Sequence, residues 1–282
     1  MVQVLATLAI KSSTELYQNS KMNLSLEGRR AVVCGSSQGI GRAIAIELAE
    51  LGADISLMAR SPERLESVTR ELNTDHGQKH EMIVADFSEP AQVKMAIDQF
   101  TAKKKADILV NNTGGPPGGP AMDANVNEFL EAFNSHLICN QILAQALVPG
   151  MKKKEFGRII NVISTSVKQP ITGLGVSNTI RGAVANWSKT LANELAPFGI
   201  TVNNILPGAT LTTRLHSIME SQAESKGVDK AEIEKAFVGK IPVQRFADAS
   251  EIAAAAAFLA SPAAGYITGI NLPVDGGRTA CL

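Results

Sequence analysis

Short apolar runs alternate with helix-patterned segments along the chain from Leu24 onward. Seven runs have the composition of buried strands, and the segments between them repeat apolar residues at helical spacing. The predicted strands are Ala31–Cys34, Asp54–Met58, Met82–Ala85, Ile108–Asn111, Arg158–Ile163, Thr201–Ile205 and Ile270–Val274. The predicted helices are 40–51, 62–72, 90–104, 126–153, 176–196 and 252–259. Because parallel strands need helical crossovers, the pattern predicts a single α/β domain with a doubly wound sheet of about seven parallel strands.

The composition of the 282-residue chain excludes several classes of protein. Lys plus Arg and Asp plus Glu both total 27, so nothing favours a nucleic acid or an anionic membrane as partner. Aromatic residues make up only 4%, and no run approaches the roughly 18 apolar residues of a membrane span. Three widely separated cysteines argue for a reducing compartment. We therefore expect a cytoplasmic protein with a small-molecule substrate and without a metal site.

Two segments lie outside the regular alternation. Residues 1–21 begin with a short apolar stretch that has neither a basic start nor a clear cleavage site, which argues against a secretory signal. We expect them to be a poorly ordered tail, or the product of an upstream start codon, ahead of Met22. Residues 208–246 follow the sixth strand and hold most of the remaining irregular or loosely helical sequence. We interpret them as a lid over a ligand; a plain surface insertion is the alternative.

The first predicted strand runs directly into a glycine-rich segment that opens the first helix. Gly35 allows a tight turn, Gly39 lets the backbone approach a pyrophosphate, and Gly41 allows close contact between helix and sheet. The helix N-terminus then faces the phosphates. Glycine spacing alone is weak evidence, but here it stands in the required strand–turn–helix context. The pattern predicts a Rossmann-type dinucleotide site, whose remaining residues in this segment are Ser37, Gln38 and Ile40.

The end of the second predicted strand indicates which dinucleotide is bound. An NAD site usually has an acidic residue here for the ribose hydroxyls, whereas this chain has Ala59 followed by Arg60 and Ser61. The planar guanidinium of Arg60 is suited to a 2′-phosphate. A solvated arginine at the start of the second helix is the alternative. The missing carboxylate and the arginine together predict NADP(H) rather than NAD(H), with Arg60 and Ser61 at the phosphate.

Further motifs follow the strands, and together with the glycine segment they resemble the short-chain dehydrogenase/reductase family over residues 24–282. They are Val84-Ala85-Asp86, Asn111-Asn112-Thr113-Gly114, Asn161-Val-Ile-Ser164, Leu206-Pro207-Gly208 and Val274-Asp275-Gly276-Gly277. The family usually has alanine where this chain has Thr113. The resemblance is closest to the 3-oxoacyl-(acyl carrier protein) reductase-like branch. It implies dimers or tetramers built on the two long helices, 126–153 and 176–196.

The resemblance also implies which residues hold the dinucleotide. Asp86 would bind the adenine, and Asn112 and Gly114 would flank the adenosine ribose. The segment from Pro207 to Thr212 would hold the nicotinamide amide. The implied set from these segments is Asp86, Phe87, Asn112, Gly114, Pro207, Gly208, Thr210 and Thr212.

The family's usual catalytic set of Asn, Ser, Tyr and Lys is altered in this chain. The usual tyrosine lies thirteen residues after the serine and the lysine four further on, so that both share a helix face. Counted from Ser164, these positions hold Ser177 and Arg181. Ser164 would hydrogen-bond the substrate oxygen, although a strand-end serine often bonds the backbone instead. Arg181 would bind the nicotinamide ribose and add positive charge.

The proton donor is the open question of this altered set. The usual asparagine position falls on His136, which is either catalytic or a helix residue bonded within the fold. A serine hydroxyl is a weak acid and an arginine holds its proton, which leaves His136 with an ordinary pKa of about 6.5. We predict that replacing His136 by Ala or Gln lowers turnover by roughly 10²–10⁴-fold. His216 in the predicted lid is the second candidate for the proton donor. Tyr17-Gln-Asn-Ser-Lys21 matches the family's Tyr-x-x-x-Lys string, but it precedes the nucleotide-binding strand and we interpret the match as chance.

Two functions remain open from the sequence. The intact cofactor motifs and Ser164 favour an NADPH-dependent oxidoreductase acting on a carbonyl or secondary alcohol, similar to 3-oxoacyl reductases. The simultaneous loss of tyrosine and lysine favours a non-catalytic NADP(H)-binding or redox-sensing protein. A lyase or isomerase is also conceivable, because a fold does not determine chemistry, but no residue of the sequence favours one.

Overall fold

The computed structural model describes residues 22–281, so the predicted tail and the Tyr17–Lys21 string lie outside the described part. Seven parallel strands form one sheet in the order β3-β2-β1-β4-β5-β6-β7. The strands are β1 Arg30–Cys34, β2 Asp54–Ala59, β3 Glu81–Val84, β4 Ile108–Asn111, β5 Gly157–Val162, β6 Ile200–Pro207 and β7 Asn271–Val274. This confirms the predicted α/β fold with its doubly wound sheet.

Nine α-helices accompany the sheet within the described residues. They are α1 Gly39–Glu50, α2 Pro62–Thr69, α3 Pro90–Thr101, α4 Val126–Phe133, α5 Cys139–Lys154, α6 Gly175–Leu195, α7 Thr213–Lys226, α8 Lys230–Val238 and α9 Ala249–Ala260. Apolar residues of α1, α2 and α9 pack on one face of the sheet. Those of α3, α5 and α6 pack on the other. The sheet is therefore buried on both sides, as parallel sheets require.

Alternation along β1 shows how its short run builds both layers. Ala31 and Val33 belong to the core beneath α1 and α9, whereas Val32 and Cys34 belong to the core beneath α3 and α5. All four side chains are fully buried. Successive side chains of a strand point to opposite faces, so a continuous apolar run is what a strand covered on both faces needs.

A row of asparagines crosses the carboxyl half of the sheet. Asn111, Asn161, Asn204 and Asn271 occupy paired positions on β4 to β7. Asn111 donates to Asn161 at 2.8 Å, and Asn161 donates to Asn204 at 2.9 Å. Asn204 then donates to Asn271 at 2.8 Å. These bonds give partners to the side-chain NH2 groups of three buried asparagines, which would otherwise be costly to bury.

The long helix predicted over 126–153 is not continuous. A π-helical turn, Asn134–Ile138, separates α4 from α5. Such turns interrupt the regular hydrogen-bond ladder and are frequent at functional sites. Apolar spacing does not reveal this interruption, because both halves keep an apolar face: that of α4 packs against α6, and that of α5 packs against the sheet. The turn carries His136, whose side chain is 2% exposed.

Residues 208–246 are more regular than the sequence suggested. Thr212 caps α7 by accepting from the Leu215 amide, and Gly227 ends that helix in a left-handed conformation. After α8 the chain returns to the body, and apolar side chains of the segment form a small core of their own. That core comprises Ala209, Leu215, Met219, Ala223, Ile233, Ile241 and Phe246. The lid remains a proposal, but its secondary structure is helical rather than irregular.

The strand order reverses between β1 and β4, which places a crevice at the carboxyl ends of these strands. Open α/β sheets bind their ligands at such a point. Across residues 22–281, no helix has the length and apolar content needed to cross a membrane.

Candidate active site

The turn between β1 and α1 can be built only with glycine. Gly35 has a φ of 58°, and a Cβ there would lie 2.3 Å from the backbone oxygen of Asn112. A Cβ on Gly41 would lie 2.3 Å from the backbone oxygen of Gly35. Neither position has room for a side chain. The geometry therefore agrees with the predicted roles of Gly35 in the turn and Gly41 in close packing.

The N-terminus of α1 has free amide groups beside the chain that follows β6. Gln38 precedes the helix in an extended conformation and does not cap it with its side chain. The first-turn amides can therefore bind a phosphate. Gly39 has a φ of 56°, and a Cβ there would lie 3.3 Å from Cγ2 of Thr212. Ser37 and Ile40, the other predicted residues of this turn, are half-buried.

Two arginines, rather than one, lie between the end of β2 and the first turn of α2. Arg60 is exposed, and Ser61 caps α2 by accepting from the Arg64 amide at 3.4 Å. The Arg64 guanidinium donates to the side-chain oxygen of Gln38 at 3.0 Å, which ties α2 to the glycine turn. Sequence reasoning missed Arg64. The sequence feature that could have indicated Arg64 is its place in the first turn of a predicted helix, where the helix dipole disfavours a positive charge.

Asp86 and Phe87 follow β3 beside this basic edge. The Ser88 amide donates to Asp86 at 2.9 Å and lowers the pKa of that carboxyl below its ordinary value, and nearby Arg60 lowers it further. Asp86 is therefore ionised and close to Arg60. Phe87 packs on the core, and its carbonyl accepts from the Cys139 thiol at 3.4 Å. The binding of adenine by Asp86, which the family resemblance implies, stays a prediction.

Asn112 braces the glycine turn in this structure. Its side-chain amide donates to the backbone oxygens of Cys34 at 3.4 Å and Gly35 at 3.3 Å. The family resemblance placed Asn112 and Gly114 beside the ribose; the structure adds a structural task for Asn112. Gly114 is exposed with open space around it.

The chain that follows β6 is held against β7. The Gly208 amide donates to the Val274 carbonyl at 2.9 Å, and a Cβ on Gly208 would lie 2.7 Å from the Cα of Asp275. The Thr210 hydroxyl donates to the Gly208 carbonyl at 3.2 Å. Pro207 ends β6. The segment predicted to hold the nicotinamide amide is thereby positioned at the crevice.

Ser164, Ser177 and Arg181 come from β5 and α6. Ser164 follows β5, and its hydroxyl accepts from the Ser166 amide at 3.1 Å, the backbone bond considered above. Ser177 and Arg181 are buried on one face of α6, as their spacing predicted. The Arg181 guanidinium donates to the Val162 carbonyl at 3.2 Å, which brings it to the end of β5. Burial, with Arg214 nearby, lowers the pKa of Arg181 to about 10, so it stays charged at neutral pH.

His136 is not an ordinary histidine. Its Nδ1 lies 2.5 Å from the hydroxyl of Thr113, and burial lowers its pKa to about 2. The positive charges of Arg181 and Arg214 contribute to this lowering, after burial. The expectation of a pKa near 6.5 is therefore wrong, and the imidazole is neutral at physiological pH. His136 and Arg181 are brought together, whereas His216 is exposed on α7.

Comparison with known proteins decides the family. A family model described as enoyl-(acyl carrier protein) reductase matches residues 35–279. NADPH-dependent reductase BacG of Bacillus subtilis is 32% identical over 251 residues, which cover 88% of this chain and 97% of BacG. This chain is a short-chain dehydrogenase/reductase. The 3-oxoacyl-(acyl carrier protein) reductase FabG of Vibrio cholerae is also similar, at 35% identity over 90% of this chain and 98% of FabG.

A solved structure has the same architecture as this short-chain dehydrogenase/reductase. L-sorbose reductase from Gluconobacter frateurii, crystallised with NADPH and L-sorbose, superimposes with a TM-score of 0.86 at 33% identity. The match covers 93% of this chain and all of that one.

Two further residues near His136 were missed by sequence reasoning. Thr113 stands where the family usually has alanine, a departure that was visible but not linked to His136. Arg214 lies in the first turn of α7, against the helix dipole, and its guanidinium donates to the Pro116 carbonyl at 2.7 Å. That carbonyl is in the loop that begins with Asn112 and Thr113, so Arg214 connects the α7 segment to the catalytic region.

Proposed function

We propose that this protein is an NADP(H)-dependent oxidoreductase that acts on a carbonyl or secondary alcohol, similar to 3-oxoacyl reductases, with an altered catalytic set. The observation that carries the proposal is the glycine turn. Its glycines bring the backbone of the turn close to Asn112, and the uncapped start of α1 offers amide groups to a pyrophosphate. The relatives support it, since BacG is named an NADPH-dependent reductase and the sorbose reductase was crystallised with NADPH.

The basic end of β2 supports NADP(H) rather than NAD(H). Arg60 and Arg64 both lie at this edge, and Ala59 occupies the position where an NAD site has a carboxylate. A 2′-phosphate accepts charge-assisted hydrogen bonds from guanidinium groups. The chain thus offers two cations to the group that distinguishes the two dinucleotides.

The residues of the altered set then take separate tasks. NADPH, when bound, supplies the hydride. Ser164 hydrogen-bonds the substrate oxygen, and charged Arg181 binds the nicotinamide ribose and stabilises negative charge that develops on that oxygen. Neutral His136 donates through Nε2–H when Nδ1 accepts from Thr113. Ser177 and the Nε2–H of His136 hold a water, which gives its proton to the developing alkoxide and is replenished from solvent, while His136 itself stays neutral.

A non-catalytic NADP(H)-binding or redox-sensing protein is the second candidate. The observation that favours it is electrostatic: His136 is neutral and Arg181 stays protonated at neutral pH. Neither group releases a proton as readily as the family's tyrosine. A protein that binds the dinucleotide without reducing a substrate needs no proton donor.

Calorimetric titration with NADPH and NADH, followed by a panel of ketones under NADPH, separates these functions. Oxidation of NADPH that depends on a ketone supports the oxidoreductase. NADPH binding without turnover on any ketone supports the non-catalytic protein. The double variant Ser177→Tyr with Arg181→Lys restores the usual family residues, and activity gained by it would show that the rest of the pocket is competent.

We also propose a homodimer or homotetramer built on the α4–α5 region and α6. Val126, Leu130 and Phe133 expose apolar side chains along α4, with Val126 72% exposed. Exposed apolar side chains in a row are typical of an interface. Light scattering of the wild type and of a Leu130→Glu variant tests this: a monomeric wild type contradicts it.

A further inference from the structure

Three basic side chains from three separate elements lie close together. His136 lies in the π-helical turn, Arg181 on α6 and Arg214 on α7. Residues 113–116 connect two of them: Thr113 contacts His136 at 2.5 Å, and the Pro116 carbonyl accepts from Arg214 at 2.7 Å. Arg181 comes from the other side, where it donates to the Val162 carbonyl, and both guanidinium groups lie close enough to His136 to lower its pKa. Two positive charges therefore lie around a neutral imidazole.

The charge of this cluster is not balanced by the protein. Among residues 22–281, no carboxylate forms an ion pair with Arg181 or Arg214. Arg181 is 8% exposed, and in the same part of the chain its Nε has no hydrogen-bond partner. An unpaired charge and an unsatisfied donor are both costly to bury. Their persistence points to a ligand that supplies the missing negative charge.

Another buried arginine of this chain shows how such a cost is normally avoided. Arg158 is 3% exposed, and its guanidinium donates to the backbone oxygens of Ser261, Gly157 and Gly199. It also stacks on the ring of Phe156, 4.2 Å from the centroid. Arg158 is therefore a structural arginine, and within the described residues none of its buried donors lacks an acceptor. Arg181 differs because one of its donors faces no protein acceptor within the described residues.

The dinucleotide does not account for both charges. The family resemblance gives Arg181 the nicotinamide ribose, whose hydroxyls are neutral, so that contact can satisfy a donor but cannot balance charge. Arg214 lies two residues beyond Thr212, on the segment proposed as a lid. Its guanidinium remains partly exposed while it donates to Pro116, so donors are left for a ligand that enters beside His136.

We propose that the substrate of this oxidoreductase carries an anionic group, a carboxylate or a phosphate, close to its carbonyl, and that Arg214 together with Arg181 binds that group. That the ligand is a substrate rests on the proposed function, whereas its negative charge is inferred from the cluster alone. Guanidinium groups recognise both anions through paired, charge-assisted hydrogen bonds. Arg214 acts here as a specificity-determining residue.

Binding is tested without turnover. Oxamate and inorganic phosphate are titrated by calorimetry into the protein saturated with NADP⁺, in the wild type, Arg214→Gln and Arg70→Gln. Arg70 is an exposed arginine on the body and provides the matched control. We expect at least one anion to bind, Arg214→Gln to weaken it about tenfold or more, and Arg70→Gln to leave it unchanged. Preference for oxamate indicates a carboxylate substrate, and preference for phosphate a phosphorylated one.

The second test measures turnover of charged and neutral substrates. Paired substrates are compared under NADPH: 2-oxobutyrate with 2-butanone, and dihydroxyacetone phosphate with dihydroxyacetone. The charged member of at least one pair should have the higher kcat/KM, and Arg214→Gln should reduce that ratio about tenfold or more. Turnover of the neutral ketones alone would overturn the anionic substrate and leave the oxidoreductase standing.

Two further outcomes separate the two proposals. If an anion binds in an Arg214-dependent manner but no carbonyl is reduced, the anion site stands and the oxidoreductase function falls. If neither anion binds, or if Arg214→Gln weakens NADP⁺ and anion binding in parallel, Arg214 does not belong to a substrate site and the inference is overturned.

Discussion

The hydroxyl of Thr113 lies 2.5 Å from Nδ1 of His136 and joins the loop after β4 to the turn between α4 and α5. His136 is buried and neutral, so the direction of this bond decides which ring nitrogen carries the proton. When Thr113 donates to Nδ1, the proton resides on Nε2. Thr113 is therefore a positioning residue for His136.

The Thr113 hydroxyl should matter for turnover. Thr113→Val removes the bond and should lower kcat by about tenfold or more, whereas Thr113→Ser keeps a hydroxyl and should restore most of it. His136→Ala removes the Nε2–H that orients the donor water and should lower kcat by about tenfold or more, with little effect on NADPH affinity. Steady-state kinetics of the four proteins provide the test. Equal rates for the Val and Ser variants would remove the positioning role.

Burial of neutral His136 should make stability depend on pH. Its pKa is lowered from 6.5 to about 2 in the folded protein, so between these values the unfolded chain binds a proton that the folded protein does not. The free energy of unfolding is therefore highest above pH 6.5 and falls as the pH decreases. One proton corresponds to about 1.4 kcal/mol per pH unit, so the loss reaches about 2 kcal/mol at pH 5.

Urea unfolding at pH 7, 6 and 5 measures this effect. The His136→Gln variant lacks the titrating group and should lose about 2 kcal/mol less than the wild type between pH 7 and pH 5. Parallel pH dependence in the two proteins would show that His136 is protonated as easily in the folded state as in the unfolded chain.

NADPH should bind more tightly than NADH because of the arginines at the end of β2. Arg60→Ala should weaken NADPH binding about tenfold, the value of a charge-assisted phosphate contact, and leave NADH binding nearly unchanged. Arg64→Ala should have the same direction of effect. Arg70→Ala, on an exposed part of the same region, is the control. Full NADPH preference in the Arg60→Ala, Arg64→Ala double variant would contradict the assignment.

The asparagine row should contribute strongly to stability at its centre. Asn161→Leu removes the acceptor of the buried Asn111 amide and the donor to the buried Oδ1 of Asn204, at about 1–3 kcal/mol each. The expected loss in free energy of unfolding is about 2–6 kcal/mol. Asn271→Leu, at the half-buried end of the row, should cost less because it removes one hydrogen bond of the row rather than two. Chemical denaturation of both variants checks the order, and equal losses would contradict it.

The segment 208–246 should exchange its amide protons faster than the sheet and become protected when NADPH binds. It follows β6 at the carboxyl edge, and its apolar core is small and separate from the two cores of the sheet. Hydrogen–deuterium exchange with and without NADPH measures this. Slow exchange that NADPH does not change would indicate a fixed surface insertion.

The sequence by itself determined the strands, most helices and the cofactor turn. These features are local: a short β-branched run is a buried strand, and the glycines from the end of β1 into the first turn of α1 form a turn in which Gly35 and Gly41 have no room for a side chain. The α6 face that carries Ser177 and Arg181 was also predictable, because spacing along one helix fixes which side chains share a face.

Only the tertiary structure decided the electrostatics of the site. A pKa depends on burial and on charges brought from distant parts of the chain, so an isolated His136 reads as titratable while the folded one is neutral. The same reason explains why Thr113, Arg64 and Arg214 were missed. Each meets its partner across at least 23 residues of sequence, as Thr113 meets His136, and no local pattern records a contact that folding alone creates.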